Sequence, residues 1–156
     1  MSVLGKFQVI YEGIFYLPLN SNAKRMALES AIEYARDETN QPVYPLWPIV
    51  GITVDALSVL EENEWSTPKG IVRAHLTDRH ARGRAMFDSE EPMPEAEQYF
   101  FDHDQVVLST KAENARGAEL GRTLELDPSR FPRYTFSIYL SSSVIAYLKS
   151  LYSDIA

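Results

Sequence analysis

Apolar and polar positions alternate along three stretches of the chain, and this pattern predicts strands. The first stretch covers residues 6–19, in which Gly13 is either part of a hairpin turn or a glycine bulge. The second covers residues 71–76, and the third, residues 133–140, has the most regular alternation. A run rich in β-branched residues at 105–109 predicts a further strand.

Apolar residues that recur every three or four positions predict helices elsewhere, several of them after a residue that can cap a helix. The predicted helices cover about residues 23–37, 53–63, 78–87, 94–102, 110–117 (or 121) and 141–155. The helix at 110 would open with a capping box formed by Thr110 and Glu113. In the first helix, the less polar face would carry Met26, Ala27, Ser30, Ala31, Tyr34 and Ala35, with Arg25 and Glu29 largely elsewhere.

The order of these elements indicates the fold class and the number of domains. Strands and helices interleave irregularly, and the chain contains no internal repeat, low-complexity tract or long linker. A length of 156 residues is typical of one domain. We therefore predict a single compact α+β domain over residues 1–156, with a largely antiparallel sheet and several short helices packed on it.

Composition excludes several classes of function. The absence of cysteine removes disulfides, thiolate zinc sites and cysteine nucleophiles. No apolar run is long enough to span a membrane, and Lys6 and Glu12 interrupt the apolar N-terminus, so we expect a cytoplasmic protein without a signal peptide. The net charge is −7, so direct binding to nucleic acid, which needs many phosphate contacts, is not expected unless the chain is a nuclease.

Charge is sorted by sign in the middle of the chain. Residues 69–84 contain five basic residues and one acid, whereas residues 85–110 contain seven acids and no lysine or arginine. All three histidines, His75, His80 and His103, lie in the same region. We therefore expect any functional site to lie there.

The acidic stretch of residues 88–104 also contains aromatic residues, and this combination favours a protein–protein interface. Carboxylates would speed the approach of a basic partner, and aromatic side chains would supply buried area. The candidate partner-binding residues are Glu90, Glu91, Glu95, Glu97, Tyr99, Asp102 and Asp104. The leading hypothesis is a small interaction or inhibitor-type protein without catalysis or cofactor, whose basic partner could be a nucleic-acid enzyme.

The basic residues suggest a phosphate site as well. Arg79 and Arg82 lie three positions apart on a predicted helix, and Arg73 lies on the strand before it. Guanidinium groups bind phosphate through paired hydrogen bonds, so these three are candidate phosphate-binding residues. The alternative is that they pair with acidic residues of the same chain.

A second hypothesis is a metal-assisted phosphodiesterase or nuclease built around residues 75–84. A divalent metal would activate water in this hypothesis, with candidate ligands His75, His80, His103 and Asp102. The alternative is that these histidines are exposed or paired with the acidic stretch.

The order of His75 and Asn114 has a loose likeness to the site of ββα-metal nucleases. The likeness implies that His75 acts as general base and Asn114 orients it. The chain departs from that pattern because no Asp precedes His75 and no His follows Asn114. The candidate catalytic residues of the second hypothesis are His75, His80 and Asn114.

Overall fold

The computed structural model of the chain describes residues 3–44, 46–115, 117–132 and 140–155, with the backbone alone at residues 3–5. The helices are α1 (Val3–Phe15), α2 (Ser21–Glu33), α3 (Val54–Glu62), α4 (Arg79–Phe87), α5 (Ala96–Asp102) and α6 (Ser142–Ile155). The strands are β1 (Ile49–Thr53), β2 (Ile71–His75), β3 (Val106–Thr110) and β4 (Thr123–Glu125). Within these ranges no helix is both long and apolar enough to cross a membrane.

The four strands form one sheet in the order β2-β3-β1-β4. β1 runs parallel to β3, whereas β2 pairs with β3, and β4 with β1, in the antiparallel direction. This largely antiparallel sheet, together with the helices, confirms the predicted α+β class.

Contacts along the chain divide it into two compact units. The helical unit comprises Met1–Leu46 and Thr77–Asp104, and it contains α1, α2, α4 and α5. The sheet unit comprises Trp47–Leu76 and Gln105–Ala156, and it contains the sheet, α3 and α6. The prediction of one domain over residues 1–156 stays a prediction.

The sheet unit has a continuous apolar core between the sheet and two helices. Thr53 ends β1 and caps α3, because its Oγ1 accepts a hydrogen bond of 3.1 Å from the amide of Ala56. This confirms the predicted helix after Thr53. The buried core side chains include Ile49, Ile52, Leu57, Leu60, Val106, Leu108, Val144 and Leu148.

The strand predicted over residues 6–19 is wrong, because Val3–Phe15 is helix α1. Phe7, Tyr11 and Ile14 are buried at helical spacing, whereas Val9, which the strand pattern would place beside Phe7 and Tyr11, is 58% exposed. The sequence fits both periods, and packing against other helices decides between them. Tyr11 anchors α1, because its hydroxyl donates to the Met86 carbonyl at 2.5 Å.

A helix was expected where α2 lies, but the face predicted to be less polar is not the buried one. Met26 and Tyr34 are 55% and 73% exposed. The buried residues of the helix are Arg25, Leu28, Glu29 and Ile32. Two charged residues thus occupy the face that faces the interior, because each finds a partner of opposite charge there.

The helix predicted from residue 110 is also wrong, since residues 111–115 form turns. The capping box itself does form: Thr110 N–H donates to Glu113 Oε1 at 3.0 Å, and Glu113 N–H donates to Thr110 Oγ1 at 3.2 Å. Glu113 Oε2 also accepts from Gly121 N–H at 2.8 Å, so its carboxylate holds a loop together. The strand predicted over residues 133–140 falls mostly on residues 133–139, which lie outside the described residues.

Candidate functional site

The arginines of α4 point into the helical unit. Arg82 is fully buried, with Nη1 2.6 Å from Asp104 Oδ1 and Nη2 2.7 Å from Glu29 Oε1. Its guanidinium carbon lies 4.2 Å from the centre of the Phe100 ring, a cation–π distance. Both terminal nitrogens of Arg82 are therefore occupied within the protein itself.

Glu29 is shared by three arginines. Besides Arg82, it binds Arg25, with 2.9 Å from Nη1 to Oε2, and Arg79, whose Nη2 also contacts Oε2. Burial acts to raise the pKa of Glu29, but hydrogen bonds and charge from Arg79 and Arg25 outweigh it, and the pKa lies below its ordinary value. We call these residues the ionic cluster: Arg25, Glu29, Arg79, Arg82 and Asp104.

A glycine permits the close approach of α2 and α4. A Cβ atom on Gly83 would lie only 3.1 Å from the Cβ of Arg25. From the sequence, Gly83 was expected only to weaken α4; in the structure it gives Arg25 room beside that helix. The helix begins one residue later than expected, at Arg79, because Asp78 rather than Thr77 is its cap.

These ion pairs change the interpretation of the predicted phosphate site and of one predicted partner-binding residue. Arg79 and Arg82 are ion-paired to Glu29, so the intramolecular alternative describes them better than the phosphate site does. Arg73 lies half-buried on β2 in the sheet unit, where burial lowers its pKa. Asp104 is not a surface residue, because it is fully buried against Arg82, and its inclusion among the partner-binding residues is wrong.

The histidines have separate local roles. His75, on β2, packs edge-on against Trp47 with ring centres 5.7 Å apart. His103 ends α5, where its ring stacks on Tyr99 at 4.1 Å and its Nδ1 lies 2.8 Å from the Tyr99 carbonyl oxygen. His80 is exposed in the first turn of α4.

The described part of the chain contains no group of three or more His, Asp or Glu side chains arranged to hold a metal ion. Asn114 is exposed in the turn after β3, and its backbone N–H donates to the Thr110 carbonyl at 3.2 Å. The metal-assisted hypothesis stays a prediction, without support from this geometry.

Most acidic side chains before and within α5 are accessible to solvent. Glu90, Glu91, Glu95 and Asp102 are exposed, and Glu97 and Tyr99 are partly exposed. We call these six residues the acidic surface. Six of the seven sequence-predicted partner-binding residues therefore lie where another molecule can reach them.

A groove of about 490 Å³ lies beside the acidic surface, between α1 and α5. Its lining residues are Gln8, Glu95, Glu97, Gln98 and Phe101. The volume is within the range of sites that bind small molecules or single side chains of a partner. Two carboxylates, two amides and an aromatic ring thus surround one cavity.

Gln8 fixes the start of α5 beside this groove. The cap residue Glu95 has a left-handed backbone, with φ of 55°, and makes no capping hydrogen bond through its side chain. Gln8 takes over this role: its Oε1 accepts from Ala96 N–H at 3.2 Å, and its Nε2 donates to the Met93 carbonyl at 3.0 Å. One side chain of α1 therefore positions the end of α5 that carries the two glutamates.

Glu97 has a different environment from the carboxylates of the ionic cluster. Among the described residues, no hydrogen bond or ion pair reaches its carboxylate, and burial raises its pKa. Nearby, burial and then the charge of Glu97 raise the pKa of Tyr44. The acidic, aromatic stretch of the sequence indicated Glu97, but Gln8 was missed as a groove residue because α1 was expected to be a strand.

No known protein family, curated protein or solved structure matches this chain. A functional proposal therefore depends on the side chains of the acidic surface and the groove.

Proposed function

We propose that this chain is an interaction protein that binds a basic segment of a protein partner on its acidic surface. One observation carries the proposal: the carboxylates of residues 90–102 stay accessible, while Arg79 and Arg82 of the adjacent helix are used within the protein. Ion pairs with Glu29 and Asp104 compensate the positive charge of these arginines, so this charge does not neutralise the acidic surface.

The physical role of the acidic surface would be to attract and orient the partner. Residues 85–110 contain seven acids and no lysine or arginine, so this stretch carries a net negative charge. Such a surface speeds association with a positively charged partner and repels polyanions, including nucleic acids. Tyr99, which is held by stacking on His103, would add aromatic contact area.

A charge-reversal experiment tests this proposal. Affinity capture from the native host would use the wild-type chain and a double variant, Glu90→Lys with Glu91→Lys. The matched control is Glu61→Lys with Glu62→Lys, which reverses another pair of adjacent, exposed glutamates on α3. Both double variants change the net charge by the same amount.

Each captured protein would then be purified, and its association rate with the three chains measured at low and high salt. We expect the Glu90/Glu91 variant to associate at least about tenfold more slowly at low salt, and the control to change far less. A partner that associates with all three chains at one rate, or capture of no protein that distinguishes them, would refute the proposal.

A further inference from the structure

We infer that the groove between α1 and α5 receives a single arginine side chain from the basic segment of the partner. This inference rests on the proposed function and names the chemistry of its central contact. Three features of the groove support it: a fixed aromatic ring, a carboxylate that has no hydrogen bond or ion pair among the described residues, and a volume of about 490 Å³ that accommodates a guanidinium group with its stem.

The aromatic ring is Phe101, and its position is fixed by its neighbours. It stacks on Tyr44 with ring centres 5.7 Å apart and planes 22° apart, and Phe7 and Phe100 lie 5.9 and 5.2 Å away. A held ring is a good surface for a planar cation, because the cation loses little of its binding energy to ordering the ring. The preceding residue already uses this chemistry, since Arg82 lies over the Phe100 ring at 4.2 Å.

The carboxylate is Glu97. Every carboxylate of the ionic cluster has an arginine partner, whereas within the described residues Glu97 has no hydrogen bond or ion pair. Partly withdrawn from water, Glu97 would gain more from an arriving cation than a fully solvated glutamate would. Glu95, exposed at the rim, adds a second negative charge.

These features favour arginine over lysine. A guanidinium group is planar, so it can stack on Phe101 while donating two parallel hydrogen bonds to Glu97. The ammonium group of lysine is compact and strongly hydrated, and it cannot make both contacts in the same geometry. We therefore expect the partner's basic segment to place an arginine, not merely any positive charge, in the groove.

Two fluorescent peptides test this inference, one built of arginine and glycine, the other with lysine in place of every arginine. Their affinities would be measured by fluorescence anisotropy for the wild-type chain, Glu97→Gln and Phe101→Leu. Glu119→Gln, in an exposed loop of the sheet unit, is the matched control for the amide substitution. Circular dichroism would confirm that each variant folds; if Phe101→Leu does not fold, Glu97→Gln, which keeps the side-chain shape, still decides.

We expect the wild-type chain to bind the arginine peptide several-fold more tightly than the lysine peptide. Glu97→Gln should lower affinity for the arginine peptide about tenfold, Phe101→Leu should remove the preference for arginine, and Glu119→Gln should change neither. Equal binding of both peptides, or equal behaviour of the Glu97 and control variants, would overturn the inference. Competition by free arginine at the peptide's own concentration would also overturn it, because the ligand would then be a small molecule.

The proposed function can fail or survive separately. If Glu90→Lys with Glu91→Lys weakens both peptides while Glu97→Gln has no effect, the acidic surface binds basic segments and the arginine pocket is wrong. If neither variant weakens either peptide, both the pocket and the proposed function lose their support.

Discussion

Two regions of the helical unit each withdraw a glutamate from water, with opposite effects on the pKa of its carboxyl group. In the ionic cluster, Glu29 is buried among Arg25, Arg79 and Arg82, and their hydrogen bonds and charge hold its pKa below the ordinary value despite burial. In the groove, Glu97 is partly buried and has no such partner within the part of the chain that the structure describes, and burial raises its pKa. We expect a satisfied charge of the first kind to contribute to stability, and we propose that an unsatisfied one of the second kind serves to bind a ligand.

The largest expected effect comes from breaking the ionic cluster at Arg82. Arg82→Met would leave Glu29 without one of its arginines and Asp104 without the ion pair that Arg82 forms with it. Removing one partner of a buried ion pair costs about 3–5 kcal/mol, because the remaining charge is left in a poorly solvated place. Urea denaturation would measure this loss.

Arg84→Met is the matched control, since Arg84 is exposed on the same helix. Its free energy of unfolding should stay within about 0.5 kcal/mol of the wild-type value. If Arg82→Met were no more destabilising than this control, the ionic cluster would not be a major source of stability. Glu29 would then not differ from Glu97 in its contribution to the fold.

A pair of glycines tests how closely α2 and α4 must approach to form the cluster. Alanine is favoured over glycine inside a helix by about 1 kcal/mol. At Gly83 the added methyl would meet the Cβ of Arg25 at 3.1 Å, and over-packing costs about 1–3 kcal/mol, so we expect Gly83→Ala to be destabilising by about 1 kcal/mol. At Gly13, also inside a helix, the methyl would meet nothing within 4 Å, and Gly13→Ala should be stabilising by about 0.5–1 kcal/mol.

Thermal or urea denaturation of the two variants gives the comparison directly. Opposite signs would confirm that Gly83 is required by the approach of Arg25. Equal stabilisation by both alanines would mean that the helices can adjust, and that the cluster does not depend on their separation.

Local signals in the sequence predicted α3, α6, β2 and β3 of the sheet unit, but not β1 or β4. Thr53 caps α3 as expected, and β2 and β3 lie within a residue or so of their predicted ranges, because caps and short apolar runs act over a few residues. The strand predicted at the N-terminus failed because Phe7 and Tyr11 fit a period of two as well as a helix.

The long-range partners of charged residues could not be predicted. Arg82 and Glu29 are 53 positions apart, and nothing in the sequence distinguishes them from solvated charges. Asp102 and Asp104 illustrate the same limit, since two acids separated by one residue end exposed and fully buried. The groove depends on α1 meeting α5, so its lining could be recognised only after Gln8 was placed on a helix.

The smallest expected effect, whose sign is clearly defined, is the pH dependence of the contribution that Glu97 makes to stability. Because its pKa is raised in the folded chain, the folded state holds this proton more firmly than the unfolded state does. The contribution of Glu97 to stability therefore falls as pH rises from the unfolded pKa, about 4.3, through the folded pKa. Above that window the ionised group imposes a small penalty, which Glu97→Gln would remove.

We expect Glu97→Gln to be more stable than the wild type at neutral pH by about 0.5 kcal/mol or less, and this advantage to disappear in acid. Glu29→Gln should do the opposite, because a lowered pKa gives stability that is present above the unfolded pKa and is lost as pH falls through the folded pKa. Urea denaturation of both variants across this pH range would measure the two slopes. If the stability differences of the two variants changed with pH in the same direction, Glu29 and Glu97 would not differ in kind. In that case Glu97 would not be poised to bind a cation.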